Sequence, residues 1–308
     1  MTGAPNPVGA ALGQTGGKHA REVARGPWRA AWQRFRRNRL ASVSLFVVCV
    51  IVAACVCGPV VAGWLGRDGI SIDPALGASP PSAAHWAGTD TLGRDVLVRT
   101  LVGGRIALLV AVIATTVALL IGVTWGALAA YVGGRTDFVM MRVVDALYGF
   151  PTIAFVIVLM AVLDTQSLLA LFGFIGAISW LTMARVTRGA VLSLRNREFV
   201  QAARALGAPT HRILLRHILP NALGPIVVYA TLSLPGVMLT EAFLSYLGLG
   251  VRAPLASWGT LVTEGSAQIL VYPWLLAVPG TLMSVSILAL NFIGDGLRDA
   301  LDPATRLT

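Results

Sequence analysis

Six stretches of the chain stay apolar long enough to predict membrane-spanning helices, with polar or basic segments between them. A helix needs about 20 mostly apolar residues to cross a bilayer. Leu40 to Leu65 and Ile106 to Val132 carry no charge. Tyr148 to Leu163 is a shorter third stretch, of full length if it starts near Val143. Asp164-Thr165-Gln166 reads as a tight polar turn before a fourth, Ser167 to Ala184. The fifth runs from Ala222 to about Val251 and contains Pro225, Pro235 and Glu241. That is long for one span, so we expect a helix to about Leu239, then a turn and a short non-spanning segment. The sixth runs from about Val271 to Ile293, with Pro273 and Pro279 near its start. Neighbouring helices can satisfy the carbonyls that such prolines free.

The expected architecture is an all-α polytopic membrane protein with six transmembrane helices. It divides into a tail with an interfacial helix (1–39), a first span with an external loop (40–105), a five-helix core (106–293) and a C-terminal tail (294–308). Composition agrees. Of 308 residues, 56% are hydrophobic and 12% charged, with mean hydropathy +0.75. Soluble domains carry about 25% charged residues. Twelve per cent cannot clothe a globular surface of this size. Disorder needs low hydrophobicity and is excluded for most of the chain.

The net charge of +10 has an uneven address. Segments 1–39, 133–142, 185–217 and 294–308 hold 19 of the 24 basic residues, and the opposite side holds five. Positive residues mark the cytoplasmic side, so both termini are expected there. The apolar run starting at residue 40 is far longer than a signal-peptide core of roughly 7–15 residues. Residues 28–39 interleave Trp28, Trp32 and Phe35 with arginines, which suits an interfacial helix on anionic lipid. Nucleic acid is not an expected partner.

Twenty-three of the basic residues are Arg and one is Lys18. A phosphate-binding loop of the form GxxxxGK[ST] needs that Lys, but Leu12 and His19 occupy its first Gly and final Ser/Thr positions. The chain has no such loop, so an ATPase would have to come from a partner. GxSxG and HExxH are absent, and nothing points to an enzyme. No cofactor or metal is expected in this chain. Cys49, Cys55 and Cys57 all lie in the first span and read as packing residues. LGLGV at 247–251 has no strand before it and is not a dinucleotide site. Gly122 and Gly126 form GxxxG, a helix-packing motif.

The loop at 66–105 contains HWAGTDTLGRDVL, residues 85–97. Asp90 or Thr91 could cap the following helix, with Arg94 and Asp95 free for local pairs. His85 beside two aspartates lacks a third ligand at regular spacing and reads as structural. Residues 198–220 predict a helix from Glu198 to Leu206, a stop at Gly207, and a second short helix from Thr210 to Ile218, started after Pro209 and ended by Pro220. Ala202, Ala203 and Gly207 are small enough for a partner's backbone to approach. Arg204, Arg212, Arg216 and His217 supply polar contacts. An amphipathic elbow on lipid headgroups is the alternative on composition alone. Glu241 is costly inside a membrane and is a candidate for pore lining or for contact with a partner subunit, unless water reaches it or Arg252 pairs with it. Asp145 and Asp164 sit at span ends and read as structural.

These blocks together resemble the C-type permease subunits of bacterial dipeptide, oligopeptide and nickel ABC importers. The resemblance rests on residues 85–97, GGRTDFVMMRVVD (133–145), residues 179–221, SYLGLGVRAPLASWGTL (245–261) and GDGLRDALDP (294–303), in the family's order. It implies the type I importer permease fold in the bacterial inner membrane. It also implies a second, B-type permease, two ATPase subunits holding ATP and Mg, and an external binding protein. The loop at 185–220 then looks like the family's coupling loop, with Gln201-Ala202-Ala203 in place of E-A-A, Gly207 matching and Leu219-Pro220 closing the motif. Arg204, Ala208, Pro209, Arg212 and Arg216 fall in the same docking stretch. Gln201 lacks the acidic charge, and His217 stands where the family has Ile. Short peptides are the implied cargo. Nickel chelates, haem or glutathione-like compounds are the alternative, and an autonomous channel or ion-coupled carrier belongs to a different class. Trp86, Trp180, Tyr229 and Trp258 are candidate cargo contacts.

Overall fold

The computed structural model describes residues 27–162 and 168–302. The tail up to residue 26 with Lys18, the turn at Asp164–Gln166, and the last six residues lie outside the described residues. Ten helices follow in order: α1 (Pro27–Arg37), α2 (Arg39–Trp64), α3 (Val96–Val132), α4 (Gly134–Tyr148), α5 (Thr152–Val162), α6 (Leu168–Leu194), α7 (Glu198–Ala205), α8 (Thr210–Tyr246), α9 (Trp258–Ser266) and α10 (Trp274–Leu301). Among the described residues, α2, α3, α8 and α10 are long and apolar enough to cross a membrane. The bent pair α4–α5 counts as a fifth if taken as one span. In α6, Arg185 and Arg188 shorten the uncharged part, and the residues leading into it lie outside the description. The expected count of six thus resolves here to four or five.

Several boundaries depart from the sequence expectation. Helix α3 starts ten residues before Ile106 and spans about 55 Å at 1.5 Å per residue. Its cap is Asp95, whose carboxylate accepts from the Val98 amide at 3.0 Å, rather than Asp90 or Thr91. The third stretch is no straight span. Helix α4 and residues Ile153–Met160 meet at 81°, where Pro151 withholds an N–H and disfavours helix at Phe150.

Helix α8 runs unbroken through Pro220, Pro225 and Pro235, and past Leu239 to Tyr246. A wide π turn at Leu214–Ile218, closed by Leu219 N–H on the Leu214 carbonyl, immediately precedes Pro220. The extra residue in that turn relieves the proline's clash with the preceding turn. The expected external loop at 252–270 holds helix α9, capped reciprocally by Ser257 and Thr260. The expected C-terminal tail is helical to Leu301.

Lipid gives helices little hydrophobic reason to associate, so close packing of small residues matters most. The tightest pair is α3 against α6. A Cβ on Gly126 would lie 2.2 Å from the Ala184 carbonyl oxygen, and one on Gly122 2.7 Å from that of Trp180. The GxxxG reading therefore holds. Cys55 is buried beside Gly104 and Trp258, whereas Cys49 and Cys57 lie exposed on α2. On the other side of the bundle, Ala31 and Phe35 seat α1 against Ala41, Ile293 and Ala300, and Trp28 and Trp32 stay half exposed.

The loop before α3 is held by charge. The buried Asp90 carboxylate accepts from Arg94 Nε at 2.8 Å and Arg99 Nη1 at 2.5 Å, and from the amides of Leu92 and Arg94. Arg99 also reaches Glu264 of α9 at 3.1 Å. His85 pairs with Asp95 at 3.0 Å, in keeping with its structural reading. Gly93 takes φ +76°, and a Cβ there would lie 2.1 Å from the Asp73 carbonyl oxygen. The Asp68 carboxylate, bonded by the Ser71 hydroxyl and the amides of Ser71 and Ile70, is held below the usual carboxylate range.

Candidate coupling elbow and membrane groove

Helix α7 buries Val200 and Ala203, three residues apart on one face. They pack with Ile213 and Ile218 of α8, Val191 of α6, and Ala127 and Ala130 of α3. Gly207 reverses the chain at φ +76°, a conformation that costs other residues about 1–2 kcal/mol. The turn closes with Gly207 N–H on the Arg204 carbonyl and Ala208 N–H on that of Ala203. Pro209 then starts α8. Arg195 donates to the Ala130 carbonyl at 2.9 Å, tying the segment before α7 to the end of α3, and Arg204 lies 5.7 Å over the Tyr131 ring. The elbow is packed against three long helices, α3, α6 and α8.

Gln201, Ala202, Arg204, Gly207, Pro209, Arg212 and Arg216 are exposed on it, and Ala208 is half buried. Ala203 turns inward and offers no surface to a partner, which corrects the sequence reading. The Gln201 amide donates to the Asn196 carbonyl at 3.1 Å, so this uncharged residue braces its own loop. Sequence reasoning missed Leu206, which is 88% exposed at the tip, and Phe199, 40% exposed. Leu206 read as the last apolar residue of a helix. Only the reversal at Gly207 turns it outward.

A second feature is a groove of about 400 Å³ between α4–α5, α6 and α8. Ser179 and Thr182 of α6 and Tyr229, Ser233 and Thr240 of α8 line it, with Tyr148 at one end beside Thr182. At that end Arg185 stacks 4.1 Å over Tyr148 and pairs with Asp145 at 2.7 Å. The structural reading of Asp145 therefore holds. Of the four candidate cargo contacts, only Tyr229 lines the groove. Trp258 is fully buried with its indole on the Thr100 carbonyl, Trp180 is buried against Trp125, and Trp86 lies under Arg67 on the loop before α3.

Glu241 does not line the groove either. It is 1% exposed, enclosed by the chain, and takes hydrogen bonds from Ser245 at 2.8 Å and Ser257 at 2.6 Å. Its partners are these two hydroxyls rather than Arg252. The pore-lining expectation for Glu241 is thereby corrected. Among the described residues no group of three metal-ligating side chains comes together.

The helical bundle thus carries a packed elbow at one place and a groove with a row of hydroxyls at another. The chain belongs to the family of binding-protein-dependent transport system inner membrane components, whose model matches residues 122–307. Residues 26–74 match the N-terminal transmembrane domain of oligopeptide transport permease C. The oligopeptide transport system permease protein of Bacillus subtilis is 46% identical over 280 residues, covering 91% of this chain and 90% of that protein. Its Escherichia coli counterpart is 45% identical, covering 91% and 92%. A dipeptide transport system permease protein of Bacillus subtilis is 43% identical, covering 90% and 85%. In fold the chain is similar to the MetNI methionine ABC transporter in its inward-facing conformations, with a TM-score of 0.54 at 19% identity over 66% of this chain and 96% of that one.

Proposed function

We propose that this chain is a non-catalytic permease subunit of an ATP-driven importer for di- and oligopeptides. The observation that carries the reading is the elbow: an exposed apolar tip, Leu206, on a lever packed into three long helices. The named relatives supply the cargo class. A second, B-type permease completes the pathway, two ATPase subunits hold ATP and Mg and dock at the elbow, and an external binding protein delivers peptide. Residues 201–216 form the docking stretch, and both termini face the cytoplasm. ATP binding closes the ATPases and moves the elbow, which shifts the bundle between two states. The basic, Trp-bearing α1 rests on anionic lipid.

Purification and reconstitution test the reading. The expected result is a stable complex with two ATPase subunits and a second permease, and ATP-dependent peptide uptake into liposomes. Gradient-driven transport by this chain alone would overturn it.

A further inference from the structure

The groove between α6 and α8 sets a row of hydroxyls among apolar side chains such as Ile175, Ile178, Val237 and Leu244. Tyr229, Ser233 and Thr240 lie on α8 at intervals of four and seven, and Ser179 and Thr182 face them from α6. No charged side chain lines it. The outward stripe of α2 offers a contrast: Leu40, Val43, Phe46 and Val50 are all exposed and none carries a hydroxyl.

The direction of the hydrogen bonds sharpens the chemistry. Ser179 donates to the Ile175 carbonyl, Ser233 to that of Ala230 and Thr240 to that of Gly236, each at 2.8 Å. A hydroxyl has one proton and two lone pairs. With the proton committed to its own helix, each oxygen is left as a neutral acceptor. Beyond the Tyr148 end, Asp145 pairs with Arg185 at 2.7 Å and with Arg142 at 3.8 Å.

We propose that this groove is a cargo site that holds an extended peptide by its backbone N–H groups, without reading side-chain charge. The inference rests on the importer reading above and deepens it. From Tyr229 to Thr240 the α8 stripe spans about 16 Å, the length of about five residues of extended chain. Peptide N–H donors recur along such a chain whatever its sequence. A row of neutral acceptors therefore suits a permease that passes many peptides, and suits a metal chelate or a carboxylate poorly.

The test uses the complete reconstituted complex, with its ATPases, second permease and binding protein. The probes are alanine pentapeptide and the same peptide N-methylated at its internal amides. The binding protein is common to all arms, so a change in the uptake ratio between the two peptides belongs to the permease. A Ser179→Ala, Ser233→Ala, Thr240→Val variant should slow uptake of the unmodified peptide about tenfold, the worth of one or two hydrogen bonds. It should also shrink the preference over the methylated peptide, with peptide-independent ATPase activity retained. Gly236→Trp, which obstructs the groove, should stop uptake of both. An unchanged preference in the triple variant, or wild-type uptake by Gly236→Trp, overturns the groove assignment while leaving the importer reading intact. No ATP-driven uptake by the wild-type complex overturns the importer reading itself.

Discussion

The hydroxyl of Ser257 donates to the carboxylate of Glu241 at 2.6 Å and, as the N-cap of α9, accepts from the Thr260 amide. A single side chain thus joins a buried acid in α8 to the start of a short helix. Replacing Glu241 with Ala leaves the protons of two buried hydroxyls, Ser245 and Ser257, without an acceptor, at about 1–3 kcal/mol each. Glu241→Gln keeps a carbonyl acceptor and should cost less than half as much. Thermal unfolding of the purified chain in lipid nanodiscs measures both. Equal midpoints for the two variants would contradict this role.

Asp90 and Arg99 make a similar case at the start of α3. Asp90 holds two arginines and two amides, whereas Arg99 gives up Asp90 and the half-exposed Glu264. Breaking a buried ion pair by removing one partner costs about 3–5 kcal/mol. Asp90→Asn should approach that range. Arg99→Met should cost less, because Asp90 keeps Arg94. The order of the two midpoints is the measurement.

Gly126 tests the α3–α6 seam. Its missing side chain leaves room for the Ala184 carbonyl, so Gly126→Leu forces the helices apart. Protein that reaches the membrane should be markedly less stable, by several °C or more in unfolding midpoint. Gly189→Ala on α6, where the space is open, serves as the control and should change little.

The elbow separates docking from geometry. Leu206→Ser removes an exposed apolar tip and should leave stability unchanged. It should weaken co-purification with the ATPases. Gly207→Val meets no atoms but strains the backbone by about 1–2 kcal/mol. It should leave ATP hydrolysis running while peptide uptake falls at least fivefold. Uptake at the wild-type rate in Gly207→Val would remove the elbow from the coupling assignment.

How much was legible beforehand differs residue by residue. The uncharged runs marked α2 and the body of α3, because a bilayer imposes length and apolarity directly on sequence. The GxxxG at Gly122 and Gly126 marked a seam, because close approach needs small residues. Gly207 marked the elbow's turn, because few other residues take positive φ. The path of α8 through three prolines was hidden, since prolines read locally as breaks and only the π turn and packed neighbours sustain the helix. Helix α9 was hidden because its apolar run is short and its cap works through Thr260 rather than an acid.

By itself the sequence determined the class of this protein: membrane-embedded, basic on one side, without a phosphate loop, and carrying a helix–Gly–helix segment. Tertiary structure alone decided which side chains face what. It turned Ala203 inward and Leu206 outward, enclosed Glu241 and Trp258, and brought hydroxyls from α6 and α8 onto one groove. Lipid-facing and protein-facing positions are both apolar, so composition cannot separate them. Only the packing of one helix against another assigns each residue its side.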